Sequence, residues 1–158
     1  MPTWLIPSWA PNFHPLVIHF PIVLVLTAAV VDLVDVGLER SVWLKAATTT
    51  LYVAAALSLI VAFLTGLQAQ GTVLIPGMAY PVLGEHRLWA LITMTYCIIV
   101  AALRLIVLRG DGGRSRKRRI ALLGIGLVSV VLIQQTAERG ARLVYEYGTG
   151  IIGAPAQR

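Results

Sequence analysis

The chain holds a single cysteine, Cys97, among 158 residues. A disulfide framework is therefore excluded. So is covalent attachment of a c-type haem, which needs a CxxCH element. Charge is scarce as well. Asp, Glu, Lys and Arg make up 13% of residues, against roughly 25% in a soluble domain. No charged residue precedes Asp32. No nucleophile–base pair, phosphate-binding glycine loop or carboxylate dyad can be assembled from what remains. An electron-transfer or binding protein is thus a stronger expectation than a stand-alone enzyme.

Most of the net charge of +6 comes from one segment, RGDGGRSRKRR at residues 109–119, which joins two apolar runs. Membrane topology accounts for such a cluster better than a nucleic-acid partner does.

Apolar sequence is what the chain has in quantity: 58% hydrophobic residues and a mean hydropathy of +0.81. The runs predict four helices, at residues 15–36, 42–67, 85–108 and 120–147. Each of the first three is long enough to cross a bilayer, which takes roughly 20 apolar residues; the fourth is strongly apolar only from Ile120 to Ile133 and continues in residues that favour helix. Helices also satisfy their own backbone in lipid. The expected fold is all-α, a multi-pass four-helix transmembrane bundle. One domain spans 1–150, followed by a short tail at 151–158.

The positive-inside rule orients it. Arg40, Lys45, Arg104, Arg109, Arg114, Arg116, Lys117, Arg118 and Arg119 fall on one side, and Arg87, Arg139, Arg142 and Arg158 on the other. The basic loop is thus expected inside, with both termini outside, periplasmic, in a bacterial inner membrane. Trp4, Trp9, Tyr80, Trp89, Tyr145 and Tyr147 would form the outer aromatic belt, and Trp43 an inner anchor. Asp32 and Asp35 fall at the inner end of the first helix and read as solvated interface residues.

All three histidines, His14, His19 and His86, fall at the outer end. Imidazoles at membrane depth are costly and mark function by default. His14 precedes Pro15, which disfavours α geometry at His14 and suits a cap or loop. His19 lies one turn further in, with Pro21 loosening the helix beyond it. His86 opens the third helix. His19 and His86 therefore arrive at similar depth from two helices, the arrangement that bundles use to ligate haem b. Alternatives are a copper or zinc ion on His14, His19 and His86, or histidines satisfied by backbone and water. Helix 4 supplies polar neighbours. Arg139 and Arg142 suit haem propionates, Glu138 can pair with Arg142, and Gln134 or Gln135 can bond an imidazole or a quinone headgroup. Ala54, Ser58, Ala62 and Gly66 form a small-residue stripe for close packing. Ala90, Thr93, Cys97 and Ala101 run in line below His86. The segment 68–84 is expected outside, folded over the site as a lid.

HPLVIHFPIVL at 14–24, TGLQAQG at 65–71, HRLWA at 86–90 and GARLVYEYGTG at 140–150 resemble a bacterial four-helix inner-membrane family, domain of unknown function 2231. The resemblance runs from His14 to Gly150 and implies His14, His19 and His86 as its polar hallmark positions. It implies no activity. The chain departs from the family's pattern in QAQG, which carries no acidic residue where one is expected.

The residues thus point to a membrane-bound b-type cytochrome with one bis-His haem near the outer face. It would be quinol-linked and would serve a periplasmic redox partner or belong to a respiratory complex. The competing readings are a copper- or zinc-binding membrane protein and a cofactor-free structural or assembly subunit. The bilayer is the one certain partner class, nucleic acid is not expected, and a homodimer is compatible.

Overall fold

The computed structural model describes residues 12–38, 42–109 and 115–151. Trp4, Trp9, Arg40, Arg114 and the tail from 152 lie outside the described residues. The elements are α1 (His14–Val17), α2 (His19–Gly37), α3 (Val42–Ala69), a 3-10 turn at Gly77–Ala79, α4 (Tyr80–Arg109) and α5 (Arg116–Tyr145). Among the described residues there is no strand.

Four stretches are long and apolar enough to cross a membrane: His14–Gly37, Trp43–Ala69, Gly77–Val107 and Arg116–Tyr145. α1 and α2 together make the first. They part at Ile18, a turn residue, because Pro21 has no N–H to bond the Val17 carbonyl and its ring crowds that carbonyl.

The boundaries shift from the expected ones, most of all at the starts of α4 and α5. α4 begins at Tyr80 rather than 85, since Pro81 in a first turn forfeits no helical hydrogen bond. α5 begins at Arg116, inside the basic run, because Lys and Arg are good helix formers. It ends at Tyr145, where Gly148 adopts φ 66° and the amides of Gly148 and Thr149 reach back to the carbonyls of Val144 and Leu143 at 3.0 and 2.9 Å. That left-handed closure is what glycine permits at a helix end.

α2 packs against α3 and α5, and α4 packs against the same two helices. So α2 and α4 face each other across one diagonal of the bundle, and α3 and α5 across the other. Small side chains fill the interior, among them Ala28, Ala55, Ala56, Ala62, Thr93, Cys97, Ala101 and Ser129, while Phe20, Leu26, Leu57, Leu64 and Ile106 point outward. Lipid supplies no hydrophobic drive between helices, so backbones approach through small residues and the bulky chains meet lipid. Thr93, Cys97 and Ala101 form the interior line expected below His86.

The end of the bundle near the basic loop corrects one expectation. Asp32 and Asp35 are not solvated: each is 4% exposed. Arg104, equally buried, holds the Asp32 carboxylate with both terminal nitrogens and also donates to the Leu122 carbonyl at 2.9 Å. The Tyr52 ring lies under its guanidinium, 4.2 Å from the centroid. Arg119 lies 3.5 Å from Asp35 and donates to the backbone carbonyls of Asp35 and Val36. It thereby caps the open C-terminal end of α2, where carbonyls lack helical partners. Charge buried this deep is retained only when paired.

Candidate bis-histidine site

His14 is the first residue of α1, despite the proline after it. Phe13 supplies the cap position, and the His14 amide donates to the Asn12 side-chain oxygen at 3.0 Å. With helical backbone, its side chain turns into the bundle. Nδ1 lies 3.2 Å from the Thr65 hydroxyl. The one proton of that hydroxyl goes to the carbonyl of Val61 or Ala62, so the hydroxyl accepts from Nδ1–H.

His86, in the second turn of α4, is held the same way. Its Nδ1 is 3.0 Å from the Thr136 carbonyl on α5, and a carbonyl only accepts, so Nδ1 carries the proton. In both rings the hydrogen bond fixes the tautomer and leaves the Nε2 lone pair free. The two imidazoles lie within electrostatic reach of one another.

Two glycines make room for them. A Cβ at Gly66 would lie 3.1 Å from His14 Cε1, and a Cβ at Gly140 3.1 Å from His86 Cε1. Each ring therefore rests on bare helix backbone. Gly66 belongs to the small-residue stripe read in α3. Gly140 escaped sequence reasoning, although it stands one residue from the polar cluster of α5.

His19 points elsewhere: its side chain is exposed on the outer surface of α2. A separation of five residues is about 140° on a helix, and the loosening at Ile18 does not cancel it. The interior pair is thus His14 with His86 rather than His19 with His86. Among the described residues, no three His, Cys, Asp or Glu side chains converge as a metal ion would require.

The polar residues of α5 divide. Arg139 lies within electrostatic reach of His86. It also stacks on Trp89, 4.7 Å from the centroid, pairs with Glu85 at 3.3 Å and bonds the Gln135 side chain at 3.0 Å. Gln134, Glu138 and Arg142 line an open groove on the surface of α5, together with Tyr145 and Glu146. Arg142 meets Glu138 at 3.9 Å and Glu146 at 2.7 Å. Its guanidinium, with the Tyr147 hydroxyl, holds the Glu146 carboxyl below the usual carboxylate range.

The segment between α3 and α4 is pinned across the histidine end. Asn12 donates to the Thr72 hydroxyl at 3.3 Å, and the Gly150 amide to the Leu74 carbonyl at 3.4 Å. Ala79, Val82 and Leu143 pack beneath it.

No curated protein and no solved structure matches the chain. A family model described as "Predicted membrane protein (DUF2231)" matches residues 10–153, a span that includes both interior histidines and both glycines beneath them, and the chain belongs to that family.

Proposed function

We propose that the chain is a bacterial inner-membrane electron-transfer protein that holds one haem b between His14 and His86 at its periplasmic end. The observation that carries this reading is the matched pair of imidazoles. Each is anchored through Nδ1–H to a neighbouring helix, each rests on a glycine, and each has Nε2 free, which is the nitrogen a bis-His haem uses. Arg139, close to His86, is the cation best placed to meet a propionate. Bound there, the iron would accept and release one electron.

The protein's own contribution is orientation. Thr65 and the Thr136 carbonyl fix the ring planes. Gly66 and Gly140 let the rings lie close to the helices, and the pinned 70–79 segment limits water at that end. A copper or zinc ion on all three histidines is less well supported, because His19 faces outward.

The test is a dithionite-reduced minus oxidised spectrum of protein purified after haem-supplemented expression. A b-type α band is expected. His14→Ala and His86→Ala should each abolish the bis-His spectrum, while His19→Ala should leave it unchanged. A haem band insensitive to His86→Ala would overturn the assignment of ligands, and no haem in the unaltered protein would overturn the function.

A further inference from the structure

We infer that this chain is two fused copies of one helical hairpin, and that its ligand site is built on the pseudo-twofold axis between them. The repeat is nearly invisible in residue identity but plain in burial. α2 and α4 match at an offset of 72 residues. Pro21, Val25, Ala28, Ala29 and Asp32 are buried, and so are Thr93, Cys97, Val100, Ala101 and Arg104. Between residues 19–34 and 91–106, the order of buried, half-buried and exposed positions is the same except at Val31 and Leu103. α3 and α5 match less closely at an offset of 74: Tyr52, Ala55 and Leu59 are buried, as are Gly126, Ser129 and Ile133, whereas Leu44, Thr48, Thr49, Ala56 and Ala62 are buried and their counterparts are not.

One contact repeats with the same offsets: His14 rests on Gly66 and His86 on Gly140, and positions 66 and 140 are equivalent. The hydrogen-bond partners do not repeat, being the Thr65 hydroxyl for His14 and the Thr136 carbonyl for His86. Helix packing obeys the symmetry too, since α2 on α3 corresponds to α4 on α5, and α2 on α5 to α4 on α3. α2 and α4 run in the same direction, so the axis lies along the bundle.

Residues on such an axis meet their own counterparts, as in an isologous dimer. Two pairs do: Asp32 meets Arg104, and Tyr52 meets Gly126. A third equivalent pair, His14 and His86, stands at one end of the bundle, each ring on its glycine. At the first two, identity would be ruinous. Two aspartates or two arginines would repel in a low-dielectric interior, and two tyrosines would overlap. Those pairs have become acid with base and large with small. The histidines alone have stayed alike, with their glycines. Two neutral imidazoles have nothing to give each other through free Nε2 lone pairs. A single ligand on the axis that takes two equal nitrogen donors uses both. This last step rests on the haem proposal; the duplication does not.

The symmetry makes a demand that an ordinary ion pair does not. Rotating the cluster by half a turn places Arg at 32, Asp at 104, Gly at 52 and Tyr at 126. The variants are Asp32→Arg, Arg104→Asp, their double, and the quadruple that adds Tyr52→Gly and Gly126→Tyr, all in the full-length chain. Yield of monodisperse protein in mild detergent is read, because stability losses lower abundance several-fold. Each single variant should lose yield several-fold. The double should recover only in part, since Arg at 32 then faces no ring and Tyr52 faces Asp at 104. The quadruple should exceed the double. A quadruple at or below the double overturns the duplication.

If all four fail to accumulate, Gly66→Ala and Gly140→Ala decide, read as the Tm of purified protein. Equal downward shifts support equivalent cradles, and a shift confined to one overturns them. Loss of haem binding alone, with the quadruple still above the double, would refute the ligand and leave the repeat standing.

Discussion

Arg104→Met is expected to destabilise the bundle by about 3–5 kcal/mol, the cost of leaving one member of a buried ion pair without its partner. Asp32 would remain 4% exposed, with no other cation bonded to its carboxylate among the described residues. The Leu122 carbonyl and the face of Tyr52 would lose the guanidinium as well. Asp32→Leu should cost a similar amount, because it strands Arg104 instead. The informative variant is the double, Asp32→Leu with Arg104→Met. Replacing both charges with apolar chains of similar bulk removes the two desolvation penalties along with the attraction, and such exchanges are often neutral or stabilising. Thermal unfolding in detergent, followed by loss of helical signal or of the monodisperse fraction, should therefore rank the double well above either single. A double as damaged as the singles would show that the pair is a net source of stability.

The same pair shows where sequence reading reached its limit. Helix number and approximate span were legible because a crossing demands a long apolar run whatever lies around it. Helix ends were less so. Tyr80 and Arg116 start helices in segments that look like loop, since Pro81 and the Arg/Lys run are tolerated by a first turn. Which residues face inward was hardest. In a soluble helix, polarity marks the outer face; here both faces are apolar, and the contrast is between small and large residues. The line Thr93, Cys97, Ala101 was readable on that basis.

Asp32 was misjudged because it stands near the end of an apolar run, where a charge normally reaches water. The sign that it does not is Arg104, an opposite charge equally close to the end of its own run on a parallel helix. The histidines were read as a candidate site from their depth. Choosing His19 over His14 followed from expecting Pro15 to expel His14 from the helix. The Asn12 side chain overrides that preference by holding the His14 amide, and the ring then falls on Gly66.

Gly126→Ala should be severe where Gly124→Ala, two residues earlier on the same helix, is harmless. A Cβ at 126 would collide with the Tyr52 hydroxyl and lie 3.1 Å from Tyr52 Cζ and 3.2 Å from an Asp32 carboxylate oxygen. None of these can retreat. Tyr52 is fully buried, its ring carries the Arg104 guanidinium, and Asp32 is held by that same arginine. Overpacking a fixed site costs about 1–3 kcal/mol, and here the displaced atoms belong to a buried ion pair, so the upper end of that range applies. At Gly124 nothing lies within 4 Å of the added methyl group. The substitution there only removes glycine's conformational penalty, a gain of roughly 0.5–1 kcal/mol. Two alanines only two residues apart on α5 should thus move the Tm in opposite directions. Tyr52→Leu in the Gly126→Ala background should recover part of the loss, since it withdraws the hydroxyl and ring edge that the methyl group strikes. If Gly126→Ala unfolds no earlier than the unaltered protein, Tyr52 does not occupy the axis of the bundle and the close meeting of α3 with α5 is wrong.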